Sequence, residues 1–451
     1  MSLSTRRTLY IFFIIIFFTI TPLIMLYAAG YSLADGLKVQ KTGILIADTE
    51  PEGATIVIDG KTQKNLFNKI FNIDGKIITT PAKVKNLIPG EYTITLSKDK
   101  YWDWQKKLSI KPGESTYIEN VSLFKKDTPL LMSTGTYEKN AFSPNKEYLA
   151  FSSQTEIVLI DAESGTQAPY SLVSTTTPLS AINDLLWSPN SKNLIYGNRL
   201  FSVKDWQNPI DLSKIIGNNI TDFSWDNDND YIYYLSNSTL HRFNIATQSS
   251  QEVKQNLDSK KYIINDNLLH YLQNEKNAAN ITTWDIDGNK QTASISLPVS
   301  DYVLTGNKKY LNLYDRSHHI LYLLDPFSAY KPIRESITNV DFFEWINDNK
   351  LLFANQYEIW IFDLEHRKNT LLTRISQEIK AAIWHPSDNY IIYATDKDIF
   401  TIELDDREKY NITKIIELET IKNPILNKKG DTLYFYSKIG NQEGMYKLTI
   451  Q

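Results

Sequence analysis

From about residue 128 onward the chain repeats one pattern, and no other feature constrains the fold as tightly. Units stand at 141–165 (AFSPNKEYLAFSSQTEIVLIDAESG), 185–203, 223–245, 263–289, 303–325, 343–365, 382–405 (AIWHPSDNYIIYATDKDIFTIELD) and 424–450. They recur at about 37–45 residues. Each reads as a strand ending in an aromatic or apolar residue, a polar turn, a second strand, a short turn and a third strand. That is the period and strand content of a β-propeller blade, with the fourth strand in the more variable linking segment. One blade cannot bury both of its faces, so neighbours must stack to make a core. The count is eight blades, or seven if the degenerate unit at 263–289 is an insertion. Residues 128–133 are placed to close the ring by adding an outer strand to the last blade, because the sequence stops just after that blade's third strand.

The register of the repeat also accounts for an apparent site. His385-Pro386-Ser387-Asp388 gathers residue types found in catalytic and metal centres. In other units the same slot holds Ser143-Pro144-Asn145, Ser188-Pro189-Asn190, Asp226-Asn227-Asp228 and Asn347-Asp348-Asn349. The slot is the turn between the first two strands of a blade. Proline fixes φ there, and Asn, Asp and Ser bond their own backbone, so turn chemistry explains the residue types. Trp187, Trp225, Trp345 and Trp384 close the first strands and are expected to pack between blades.

A chain of 451 residues is too long for one ordinary core, so further domains are expected upstream. Residues 9–29 (LYIFFIIIFFTITPLIMLYAA) carry no charge and are long enough to span a bilayer. Arg6 and Arg7 precede them, and the next basic residue is Lys38. The positive-inside rule then puts the N-terminus in the cytoplasm and the bulk outside, as a single-pass protein of the cell membrane. The alternative is a cleaved signal peptide, because Ala28-Ala29-Gly30 offers small residues; against it, the apolar run exceeds the usual h-region of roughly 7–15 residues. The sequence has no cysteine. That excludes disulfides, thiolate metal sites, a cysteine nucleophile and lipidation at a lipobox.

Residues 31–126 hold 15 Lys against 11 acidic residues, whereas residues 127–451 hold 31 basic and 41 acidic ones. A mildly basic module thus precedes an acidic body. Within it, TGILIADTEPEGATIVIDGKTQ (residues 42–63) alternates apolar residues, and Asp59-Gly60 signals a hairpin. Pro89-Gly90 and Pro112-Gly113 punctuate further strands at 92–96 and 106–110. The expected division is a cytoplasmic tip and anchor at 1–30, a linker at 31–42, a small β-sandwich at 43–126 and the propeller at 127–451. The fold class is all-β after one helix.

In YWDW, Tyr101, Trp102 and Trp104 are candidate contacts for a glycan or partner, since aromatic faces stack on sugars and cations. Strand alternation would put Trp102 and Trp104 on one face with Asp103 opposite. The competing reading makes them the core face of a strand.

Pro51-Glu52-Gly53-Ala54, the VIDG hairpin at 57–60, TTPAKVKNLIPGEYTITL and KPGES together resemble the PEGA domain over residues 43 to about 123. The resemblance implies a surface β-sandwich of envelope proteins, usually an accessory or adhesive module. An insertion at 64–78 departs from the pattern. The repeats, in turn, are similar to WD40-like propeller repeats of the TolB type, although only three units keep the aromatic-x-Pro signature.

Catalytic and metal patterns are weak. Asp226, Asp228 and Asp230 mimic the start of a calcium loop, but Tyr231 replaces its glycine and Asn237 its glutamate. The six histidines, His241, His270, His318, His319, His366 and His385, form no H-E-x-x-H pair. There is no G-x-S-x-G and no phosphate-binding glycine loop. No cofactor is expected, and a net charge of −4 leaves no electrostatic footprint for nucleic acid. The leading expectation is a non-enzymatic, membrane-anchored envelope protein whose sandwich acts as spacer or wall contact and whose propeller binds a protein or glycan. The alternatives are an envelope glycan hydrolase, which needs two carboxylates and no local motif, and a scaffold subunit of a surface complex. The expected partners are the membrane and a cell-wall polymer or envelope protein.

Overall fold

The computed structural model describes residues 3–34, 38–64, 77–172, 184–227, 231–306 and 309–451. Helix α1 (Leu3–Ala28) contains the apolar run, and the stretch Thr5–Ala28 is long and apolar enough to cross a membrane, with none of it buried against the rest of the protein. At 1.5 Å per residue its 24 residues span roughly 36 Å, against roughly 30 Å of hydrocarbon. Thr19 Oγ1 donates to the Ile15 carbonyl at 2.7 Å, so this polar side chain is satisfied within the helix. Gly30, at φ +82°, takes the left-handed conformation that lets the chain leave the helix.

The segment expected to be a linker carries a two-stranded antiparallel ladder, β1 (Tyr31–Ala34) with β2 (Lys38–Lys41). The sandwich follows as β3 (Gly43–Glu50), β4 (Thr55–Ile58), β5 (Lys61–Thr62), β6 (Ala82–Leu87), β7 (Gly90–Ser97), β8 (Trp104–Ile110) and β9 (Ser115–Ser122). One sheet has the order β6-β3-β9 and the other β5-β4-β7-β8. Alternate residues Leu45, Ala47, Ile56, Ile58, Ile94, Leu96, Leu108 and Ile110 fill the space between them. Asp59 and Gly60 both have positive φ, as a two-residue hairpin between β4 and β5 requires. The insertion expected at 64–78 lies mostly outside the described residues. Strand β3 pairs in parallel with β9, so the chain enters at Gly43 and leaves after Ser122 at the opposite end.

The Pro51-Glu52-Gly53-Ala54 turn is fastened to Thr80. Gly53 N and Thr80 N exchange bonds across the gap, to the carbonyls of Thr80 and Ala54, each at 2.8 Å. Thr80 Oγ1 also accepts from Ala54 N at 3.0 Å and meets Thr49 Oγ1 at 2.6 Å. The motif therefore closes the sandwich end nearest the propeller.

Eight four-stranded antiparallel sheets follow among the described residues. The degenerate unit builds its own sheet from Tyr262–Asn265, Leu268–Asn274, Ala279–Asp285 and Lys290–Leu297, which settles the count at eight blades. Blade 8 is composite. β10 (Leu130–Thr134) pairs with Gln442–Thr449, joining the start of the propeller to its end. Gly444 makes this possible, because a Cβ there would lie 2.0 Å from the Ser133 carbonyl oxygen.

Blades adhere through apolar faces. Ala150, Ile157 and Leu159 of blade 1 meet Leu194, Tyr196, Phe201 and Trp206 of blade 2. Polar bonds stitch the inner rim. Trp187 Nε1 donates to the Ala141 carbonyl of the preceding blade at 3.2 Å, and Trp225 Nε1 to that of Leu186 at 2.9 Å. Trp345 and Trp384 also pack on apolar clusters, but Trp384 Nε1 turns back to Asp388 of its own turn. The HPSD segment is a turn: His385 is buried, its Nδ1 faces Ser387 Oγ at 2.8 Å and its Nε2 faces the Gly430 carbonyl of the next blade at 3.0 Å. Burial lowers the His385 pKa, against the pull of that carbonyl, so the ring is neutral there.

Candidate functional site

In β8 the buried row reads Trp104, Lys106, Leu108, Ile110. A lysine in a core-facing row is costly unless a charge answers it. The answer comes from blade 7. Lys106 Nζ lies 3.3 Å from Glu403 Oε2 and 3.2 Å from Asp405 Oδ2, and donates to the Asp405 carbonyl at 2.6 Å. Lys106 is 2% and Glu403 5% exposed. Trp104 Nε1 donates to the same Glu403 oxygen at 3.0 Å. Arg407 holds Asp405 through Nε and Nη2 and reaches the Tyr117 carbonyl of β9 with Nη1 at 2.7 Å. Tyr390 OH accepts from Ser122 N at 3.0 Å, and Phe124 is buried in the core shared by blades 7 and 8. The sandwich is thus bolted to the face of the ring formed by turns between first and second and between third and fourth strands.

The charges are set by these contacts. Burial raises the Glu403 carboxyl above its ordinary range, and Lys106 and the Trp104 N–H pull it back only in part. Burial also pushes Asp405 up, but the hydrogen bonds of Arg407 and the cations Lys106 and Arg407 outweigh it and hold it at about 2. Asp405 is the permanent anion of the cluster.

Beside this joint lies a cleft of about 950 Å³. Tyr117 and Glu119 of the sandwich form one wall, and Lys350, Trp384, Arg407 and Tyr410 of blades 6 and 7 another. Tyr117 presents an exposed ring. The cleft offers aromatic faces with both signs of charge around them, suited to an extended polar ligand.

Of the proposed contact residues, Trp102 and Trp104 both line a small cavity where the sandwich meets blade 7, but they differ in exposure. Trp102 is 36% exposed, whereas Trp104 is 4% exposed and belongs to the sandwich core. Trp102 lies in the connection ahead of β8, where strand alternation does not apply. Lys126 Nζ sits 4.8 Å from the Trp102 ring centre. Tyr101 packs partly buried against the sandwich core. Lys106, Glu403 and Tyr117 were not singled out in the sequence, although an inward lysine in an alternating strand was a visible signal for the first.

Elsewhere, Asp226 pairs with Arg242 Nη2 at 3.2 Å, while Asp228 and Asp230 lie outside the described residues. His318 Nδ1 pairs with Asp315 at 2.8 Å and His319 Nδ1 with Asp341 at 2.6 Å, beside a cavity of about 790 Å³ on the ring face opposite the sandwich. No cluster of three potential metal ligands occurs among the described residues.

Comparison with known proteins bears on both modules. Residues 70–123 match the PEGA domain, a span that begins downstream of the Pro51–Ala54 motif and is shorter than the expected resemblance. No curated protein matches the sequence. The propeller is similar to the crystal structure of the C-terminal WD40 domain of Sif2, at 14% identity and a TM-score of 0.51, over 72% of this chain and 97% of that one. The structure of the Dos1 propeller matches at 15% identity and a TM-score of 0.49, over 73% and 96%. At such identities the likeness concerns fold alone. The chain therefore joins an apolar helix and a sandwich with a PEGA-domain match to a propeller that shares the WD40 fold.

Proposed function

We propose that this is a non-enzymatic, membrane-anchored cell-envelope protein with its N-terminus in the cytoplasm and its bulk outside. The sandwich spaces the propeller from the bilayer, and the two together bind an envelope partner, a protein or a glycan, in the cleft they share. The observation that carries this reading is the buried Lys106–Glu403 joint, which makes one rigid body of two modules and gives the cleft fixed walls. The charge distribution of Arg6 and Arg7 supports the orientation.

The test is sedimentation of the full chain in nanodiscs with isolated cell-wall glycan and, separately, crosslinking in intact envelopes. Tyr117→Ala in the cleft and Trp102→Ala outside it are compared with the parent. Loss of binding or of the crosslinked partner with Tyr117→Ala alone supports the cleft. Loss only with Trp102→Ala moves the contact to Trp102, where the sandwich meets blade 7. Retention in both overturns the proposal.

A further inference from the structure

The end of the sandwich opposite the propeller is tied directly to α1. Gly30 N donates to the Tyr27 carbonyl at 3.1 Å, Thr42 N to the Gly30 carbonyl at 2.8 Å, and Gly113 N to the Thr42 carbonyl at 2.9 Å. Thr42 Oγ1 donates to the Gly30 carbonyl as well, at 2.7 Å. Three hydrogen bonds in series therefore run from the last turn of the helix to the turn between β8 and β9. The helix already exceeds the hydrocarbon thickness, and the headgroup zone adds only roughly 5–8 Å on each side. Whatever surrounds Gly30 and Gly113 must lie in that zone.

What surrounds them is basic and apolar. Lys41, Lys85 and Lys111 are exposed at this end, and none has an ion pair among the described residues. The Lys41 side chain lies over Gly113, where a Cβ would meet its Nζ at 2.7 Å. Val39 is 52% and Ile88 37% exposed, and Pro89 and Pro112 follow Ile88 and Lys111 in the chain. Among the described residues the acidic groups here are Asp59, Glu91 and Glu114; Glu91 is already paired with Lys107 at 2.6 Å, and Asp59 accepts from the Thr93 N–H at 2.9 Å.

We infer that this end of the sandwich is a lipid-facing collar: Lys41, Lys85 and Lys111 contact anionic phospholipid headgroups, and Val39 and Ile88 sit among them. The collar fixes the tilt of the rigid body on the bilayer. Cations near an anionic leaflet are attracted within a Debye length, and small apolar side chains are accommodated at the boundary. The inference rests on the membrane reading of α1.

The chain has no cysteine, so a single introduced one carries a unique nitroxide. Ile88→Cys reports on the collar, and Asp99→Cys on the exposed opposite end. Full-length protein is placed in nanodiscs of phosphatidylcholine with or without phosphatidylglycerol, and collision with a water-soluble nickel chelate is measured. The expected result is several-fold shielding at 88 relative to 99 in anionic discs. Lys41→Gln, Lys85→Gln and Lys111→Gln combined should abolish it. If the chain co-migrates with the discs yet position 88 is as accessible as 99, or its shielding ignores both lipid charge and the lysine changes, the collar is wrong. If the chain does not co-migrate with the discs, the anchor falls and the collar with it.

Discussion

Replacing Lys106 by Met removes a charge while keeping most of the buried stem, so it isolates the electrostatic part of the joint. Glu403 would remain 5% exposed, with only the Trp104 N–H to stabilise it. Breaking a buried pair by removing one partner typically costs about 3–5 kcal/mol. The loss should be read by guanidinium unfolding, followed by both tryptophan fluorescence and far-ultraviolet dichroism. In the parent the sandwich and propeller should melt together; in Lys106→Met they should separate. The pH dependence has a definite sign. The variant raises the Glu403 pKa further, so its folded state binds that proton more tightly than the unfolded chain does. The stability deficit is therefore smallest in the acid range and grows as pH rises through the folded pKa. Lys106→Met with Glu403→Gln leaves an acceptor for Trp104 and no stranded charge, and should recover most of the loss. A deficit below about 1 kcal/mol, with a single transition at every pH, would refute the idea that this pair joins the modules.

Gly444→Ala should open the ring, because its Cβ meets the Ser133 backbone and β10 must shift away; thermal unfolding should lose cooperativity. Gly430→Ala combines φ +83° with a contact of 2.5 Å to His385 Nε2, and should lower stability by about 1–3 kcal/mol in a thermal melt. His270 is buried beside Thr283 and its pKa is lowered by burial to about 4. The unfolded chain binds that proton first, so stability should fall as pH drops from about 6.5 to 4, and His270→Asn should flatten the slope.

The blades were legible because their second and third strands are near-continuous apolar runs bounded by turn residues. Tyr390–Ala394, for example, is buried at every position. The fourth strands were not, since an outer strand such as Ser249–Gln255 (SSQEVKQ) is largely exposed and has no apolar signature. The Asp59-Gly60 hairpin and the role of HPSD followed from turn chemistry alone. The closing strand fell within a few residues of its expected place, β10 at Leu130–Thr134. The joint between modules was hidden for a different reason. Lys106 betrayed an unmet charge in its strand, but its partner lies 297 residues away, and no local rule connects them. The cleft depends on that same long-range contact, so it could not be read before the fold.

The parallel pairing of β3 with β9 has a mechanical consequence. A load that draws the ring away from α1 pulls on Gly43 at one end of the module and on Ser122 at the other. The two strands would then slide lengthwise past each other, and every rung between them would bear the strain together. Had the chain entered and left at the same end, tension would have peeled the rungs apart singly. The module is built to resist traction along its length.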